Sequence, residues 1–196
     1  MPRSTNTHPR ADAQRNRDHI LEVAEPYFAD HGVNGSLDAI AKLAGVGAGT
    51  LYRHFPNREA LLAALLAARD DALASQRDVI RATATDAADA LNRWLNALIE
   101  WAAAFDGLSE PLRAAAATTS SSPLAITCQG FITTTDDFLR AAQSEGRARY
   151  DVRGRDLFLA ALATSWVRSA ALADEFSVKT FSSLTRTGWE VASDRG

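Results

Sequence analysis

Apolar residues recur three and four positions apart along most of this chain, and no run alternates with the period of two that a half-buried strand requires. The pattern predicts an all-α fold of about nine helices. The first spans about Asp18 to Asp30, with Ile20, Ala24, Tyr27, Phe28 and His31 near one face and Gly32 as its stop. Pro26 falls inside that pattern. An interior proline loses a backbone hydrogen bond at a cost of ~3 kcal/mol, which predicts a kink near Glu22 to Pro26 or a later helix start.

Ser36 then caps a short helix from Leu37 to Ala44, Gly45 makes a turn, and a second short helix runs from about Gly47 to His54. Pro56 ends it, since the residue before a proline is pushed out of the helical region. Asn57 caps a longer helix from Arg58 to about Ala74, with an apolar stripe of Leu61, Leu62, Leu65 and Leu66. Further helices are expected at about Asp86 to Phe105, Ser109 to Ala117, Pro123 to Glu145, Arg153 to Ala173 and Ser177 to Ala192, the last capped by Ser177. The Thr118 to Ser122 run is the loosest loop of this half. The division expected is a flexible basic arm at 1–16, a first compact unit at 17–76 and a second at 77–196.

Composition narrows the class. A chain of 196 residues with 46% hydrophobic and 23% charged residues is an ordinary globular one. The single cysteine, Cys128, cannot form an intrachain disulfide, and no Cys/His set has structural zinc spacing. No apolar signal region opens the chain, and the longest apolar run, Ala60 to Ala68, is far shorter than the ~20 residues of a spanning helix, so the expected location is the cytoplasm, away from any membrane. The net charge of -3 hides a local cluster: Arg3, Arg10, Arg15 and Arg17 face only Asp12 within residues 1–17.

The segment Ser36 to Phe55, SLDAIAKLAGVGAGTLYRHF, has the pattern of a helix-turn-helix. Ile40 and Leu51 suit the shared core, Ala41 is small where the helices cross, Gly45 permits a left-handed turn residue, and Val46 plugs the turn. Leu51 and Phe55, four apart, point inward together and leave Ala48, Gly49, Tyr52 and Arg53 on the groove-facing side. Gly47 serves as a cap. Gly49, in so short a helix, costs ~1 kcal/mol relative to alanine, which favours a close backbone approach to DNA. Arg53 is long enough to reach a guanine edge or a phosphate, Ser36 offers a hydroxyl beside its capping role, and Lys42 lies outward on the first helix.

With HILEVAEPYFADHG before it and PNREALL after it, this segment resembles the amino-terminal DNA-binding region of the tetracycline repressor (TetR) family of bacterial transcriptional regulators, over about residues 17 to 65. The resemblance implies a two-domain, all-helical homodimer whose first three helices bind an operator and whose carboxyl-terminal domain pairs with its twin and binds a small effector. It implies that Thr50, Tyr52 and His54 face DNA or contact phosphate, and that Arg58 approaches a phosphate. Relatives typically carry Ser-Lys where this chain has Gly47-Ala48, which removes a polar contact at the start of the recognition helix. The RWLNALIEWAAAFDGL stretch resembles the SbtR-like group of carboxyl-terminal domains within the family.

In the second half, Trp94, Leu98, Trp101 and Phe105 form one stripe, Phe131, Thr135 and Phe138 a second, and Phe158, Leu162 and Trp166 a third. Together with Cys128 these are the candidate lining of a pocket for an apolar or aromatic effector, against the plainer reading that they are packed core. The stretch Leu157 to Val167 is apolar on nearly all sides and calls for burial on two faces. That makes it, with the last helix around Phe181 and Leu184, the candidate homodimer interface.

Catalysis is poorly served: Cys128 has no histidine in its half, no Ser/His/Asp or phosphate-loop motif appears, and Asp70-Asp71 and Asp136-Asp137 read as helix surface. No cofactor is implied, and the histidines lack metal-ligand spacing. The expectation is therefore a dimeric, ligand-released repressor, with a constitutive or architectural DNA-binding dimer as the alternative.

Overall fold

A computed structural model describes residues 8–118, 121–170 and 174–191, and within them the chain forms nine helices. These are α1 (His8–His31), α2 (Leu37–Leu43), α3 (Ala48–His54), α4 (Arg58–Thr83), α5 (Ala87–Ala102), α6 (Ser109–Ala117), α7 (Pro123–Ser144), α8 (Gly154–Ser169) and α9 (Glu175–Trp189). Helices α1 to α3 and the start of α4 pack together, α5, α7 and α8 form the centre of the second half, and α9 lies along α8. The one extended pairing among the described residues is an isolated antiparallel bridge between Ala148 and Glu190.

The helix ends follow side-chain chemistry. Asn57 accepts the Ala60 N–H at 2.8 Å, Asp86 accepts that of Asp89 at 2.8 Å, and Ser122 accepts that of Ala125 at 3.2 Å with Pro123 in the first turn. At α9 the cap is Asp174, one turn before the expected Ser177. Ser177 instead answers it, its hydroxyl taking the Asp174 N–H at 3.4 Å while the Asp174 carboxylate takes its N–H at 2.8 Å.

Two helices outrun expectation. Helix α1 begins at His8, ten residues before Asp18, and carries through Pro26, so residues 8–16 are helical where a flexible arm was expected; residues 1–7 of that arm lie outside the described residues. Ala11, Ala13, Gln14 and Arg15 are good helix formers, an Arg15–Asp12 ion pair and a Gln14–Asp18 hydrogen bond of 2.7 Å staple successive turns, and Ile20, Ala24 and Phe28 are fully buried on both sides of the proline. Helix α4 passes Ala74 and ends at Thr83, because Leu73 and Ile80 extend its buried stripe against the second half. The boundary expected at 76/77 therefore falls inside a continuous helix. In the other direction α8 stops at Ser169 rather than Ala173, and residues 171–173 lie outside the described residues, as do 119–120 of the loop at 118–122.

Candidate DNA interface

The turn between α2 and α3 is built as a glycine-terminated helix end. Val46 donates its N–H to the Ala41 carbonyl at 3.0 Å and Gly45 to that of Lys42 at 3.1 Å, with Gly45 at φ +64°. This turn fixes the approach of α3. Ile40, Leu51 and Phe55 are sealed from solvent, and Val46 packs against the same core.

With that side anchored, Ala48, Gly49, Tyr52 and Arg53 stand exposed on the outer face of α3, and Tyr52 keeps 44% of its surface accessible. Thr50 and His54 are half-buried at the edges of this face, and Ser36 and Lys42 are exposed on the α2 side. The Arg53 guanidinium folds back along its own helix, its Nε donating to the Gly49 carbonyl at 3.2 Å. Gly47 is the N-cap of α3, as expected. A side-chain carbon added at Gly49 would meet nothing within 4 Å, so the chain's own packing does not demand glycine there.

Ser36 accepts the Ala39 N–H at 3.3 Å, and its own N–H donates to the Tyr27 hydroxyl at 3.2 Å. Tyr27 stacks on His31 with centroids 4.3 Å apart, and its ring closes so tightly on Gly35 that an added carbon would lie 2.6 Å away. Tyr27 therefore positions the start of α2, a role periodicity alone could not separate from core packing. Arg17 was visible only as arm charge. Its guanidinium lies over the Phe55 ring at 5.2 Å, bringing positive charge to the end of α3.

Arg58, expected to approach a phosphate, is also engaged within the chain. Its Nη1 donates to the carbonyls of Val33 at 2.5 Å and Gly35 at 2.6 Å, and its guanidinium sits 5.9 Å from the Phe28 ring centre. The α1–α2 turn it holds is also tied to the second half. Val33 donates to the Asp106 carbonyl at 2.9 Å, Phe28 and Phe105 meet edge-on at 6.3 Å, and Arg69 covers the other ring approach at 5.7 Å.

The effector candidates do not share one open chamber. Trp94 donates to the Thr135 hydroxyl at 2.9 Å and stacks on Phe138 at 5.5 Å, and Trp101 meets Phe131 edge-on at 4.9 Å. Leu98, Cys128 and Phe158 are buried in the same core, Phe105 faces the first domain, and Trp166 is 60% exposed on the outer side of α8. Leu162, buried, and Trp166 border a surface cleft between α6 and α8 instead. Helical spacing placed Trp94, Leu98 and Trp101 on one buried face of α5, but Phe105 lies past the end of that helix and Trp166 turns outward from the face that buries Phe158 and Leu162.

Burial also sets two ionisations here. Asp70, on α4, accepts from Trp101 Nε1 at 2.8 Å and from the Thr127 hydroxyl at 3.5 Å, and burial pushes its carboxyl up to about 6 in spite of both bonds. The Cys128 thiol is pushed up to about 12 by burial, then by the nearby Asp70 and Glu59 charges, which makes it an inert core group at neutral pH.

A buried-cored helix-turn-helix with one polar, exposed recognition face defines the first half as a DNA-binding module. Residues 20–65 match the family model of the bacterial regulatory proteins of the tetR family, and residues 86–190 match that of the SbtR-like transcriptional regulator carboxyl-terminal domain. The chain belongs to the TetR family of transcriptional regulators. It is 30% identical to the TetR regulator SCO0520 from Streptomyces coelicolor, with 90% of this chain and 99% of that one covered at a TM-score of 0.57. The ketosteroid regulator KstR2 of Mycobacterium tuberculosis shares the fold at 19% identity and a TM-score of 0.57, with 96% and 98% of the two chains covered. An HTH-type transcriptional regulator of Staphylococcus aureus is 49% identical over 53 residues, 26% of this chain and only 29% of that relative's length. These relatives are transcriptional regulators, a class without enzymatic activity. No helix among the described residues is long and apolar enough to cross a membrane.

Proposed function

We propose that this protein is a homodimeric repressor that binds a palindromic operator through α3 and is released from it by a small molecule held in the second domain. The carrying observation is the division of α3: Leu51 is sealed inward while Gly49, Tyr52 and Arg53 are exposed on the outward side. Arg53 leaves the Gly49 carbonyl to contact a base edge or phosphate, Gly49 and Ala48 let the helix backbone come close, and Tyr52, Thr50 and His54 flank the contact. Ser36, Lys42 and the free edge of Arg58 supply phosphate contacts at the rim.

The dimer forms through α8 and α9, where Trp166, Phe181 and Leu184 lie exposed. The continuous α4 and the Val33–Asp106 bond give the second domain a rigid connection to the first, through which an effector can favour the spacing that DNA does not accept. DNA fragments selected by the purified protein should contain an inverted repeat, with binding that weakens steeply as salt rises. Selection of sites without twofold symmetry would sink this reading. The filled aromatic core favours the alternative of a dimer without effector, and a ligand screen that releases no DNA would establish it.

A further inference from the structure

In the second domain a guanidinium that no carboxylate holds in a close pair borders an apolar hollow. A cleft of about 220 Å³ lies between α6, α7 and α8, with Ala116, Ile132, Phe158 and Leu159 as walls and Arg113 and Arg155 at its rim. Across Arg113 and Leu159 it adjoins a second cleft of about 430 Å³ that extends between α6 and α8 to Trp166. Together they form one groove within the ~300–1,000 Å³ typical of small-molecule sites.

The neighbouring charges are already matched. Arg113 makes a two-pronged pair with Glu110 at 2.6 and 2.8 Å, Arg153 a similar pair with Asp156 at 2.8 Å, and Asp136 accepts the Gly154 N–H at 2.7 Å. Arg155, exposed at the end of the groove, makes no close ion pair or hydrogen bond among the described residues and acts only at longer range on Asp156, whose carboxylate Arg153 already holds. A planar guanidinium beside an apolar wall matches a carboxylate attached to a hydrocarbon body, since the fork satisfies both oxygens while the body removes the exposed Leu159 from water.

We infer that the α6–α8 groove binds an amphipathic organic anion, its carboxylate on Arg155 and its apolar body along Leu159 toward Trp166. This rests on the effector reading above and gives it a ligand class and a site. Stripes on α8 explain why one helix does both jobs: Arg155, Leu159, Leu162 and Trp166 recur at three- and four-residue spacing, so the anion-facing end and the apolar track form a single line.

The test is calorimetric titration of the full chain with decanoate, decanol and decyltrimethylammonium, followed in parallel by tryptophan emission with Trp166→Phe to assign the signal. Decanoate should bind at least tenfold tighter than decanol, and the cation more weakly than either. Arg155→Met should bring decanoate down to the decanol level, and Leu159→Gln should weaken both. Arg155→Met that keeps the preference for the acid would overturn the site while leaving a small-molecule effector intact. Acid and alcohol binding alike, or neither binding, would overturn the ligand class. A fall in dimer affinity with Arg155→Met and no change in acid preference would assign the groove to the second copy. The effector reading itself stands or falls separately, on whether any compound releases DNA.

Discussion

Val33 gives its backbone N–H to the Asp106 carbonyl at 2.9 Å, so the turn that leads into the helix-turn-helix hangs directly from the α5–α6 turn of the second domain. Gly107, next in the chain, holds φ at +76°, and a side-chain carbon there would lie 3.3 Å from Val33 Cγ2. Gly107→Ala should therefore cost ~1–2 kcal/mol of folding stability from the left-handed backbone alone, read by urea unfolding. It should also lower operator affinity, because the Val33 turn must shift. Unchanged DNA binding at reduced stability would mean that the joint carries no information to α3.

Arg58 grips the same turn from below. Arg58→Ala removes two charge-assisted hydrogen bonds to the Val33 and Gly35 carbonyls and should lower stability by ~1.5–3 kcal/mol, with DNA weakened for all sequences alike. Lysine should restore only part of the loss, since both bonds leave the distal Nη1, which the shorter lysine does not reach, and the planar group also rests against the Phe28 ring. Full native stability in Arg58→Ala with uniformly weaker DNA binding would make it a phosphate anchor alone.

The contrast between Arg58 and Ile40 marks how far the sequence could be read. Ile40, Leu51, Gly45 and Phe55 are set by local spacing, and the helix-turn-helix they predict is the one observed. Arg58 binds residues more than twenty positions away, and no periodicity reports such a partner. The aromatic stripes are a similar case: Trp94 and Trp101 share a helix face as expected, but their partners, Thr135 with Phe138 and Asp70 with Phe131, lie more than twenty positions away, and Phe105 falls beyond the end of α5. The early start of α1 escaped because its first turns are held by polar pairs and good helix formers rather than by an apolar face.

Reading of DNA should concentrate on α3. If Arg53 contacts a base edge, Arg53→Ala should relax preference by ~1–3 kcal/mol at one position of each half-site, measured as a preference matrix. Gly49→Val should leave folding nearly unchanged, as nothing of this chain lies within 4 Å of the added carbon, yet weaken DNA binding. A valine variant that binds normally would show that close backbone approach is not used.

Asp70 should give the protein a pH dependence. Its folded-state carboxyl, up to about 6 from an ordinary 3.8, binds a proton more tightly than in the unfolded chain. The stabilisation is fully present below the unfolded value and is lost as pH rises through about 6. Asp70→Asn keeps an acceptor for Trp101 without a charge. It should exceed the wild type by ~1 kcal/mol at pH 7.5, the value reduced for partial solvent screening, with the gap closing toward pH 4 in urea unfolding. A constant gap across that range would mean that Asp70 does not titrate there.

Assembly should depend on residues that are exposed in the single chain. Leu162 is buried, so a charge there would damage the fold and test nothing about the dimer, whereas Trp166 at 60% and Leu184 at 62% exposure can be changed without opening the core. Trp166→Asp and Leu184→Asp should each unfold at nearly the wild-type urea concentration but dimerise at least tenfold more weakly, about 1.4 kcal/mol, in sedimentation. DNA affinity should fall with them. Two recognition helices reach successive major-groove faces only when the dimer holds them about 34 Å apart, so a monomer pays the ordering of each half-site separately. Variants that remain dimeric with unchanged affinity would place the interface on another face, and a loss of DNA binding without loss of the dimer would show that the α8–α9 face sets the spacing of the heads rather than their association.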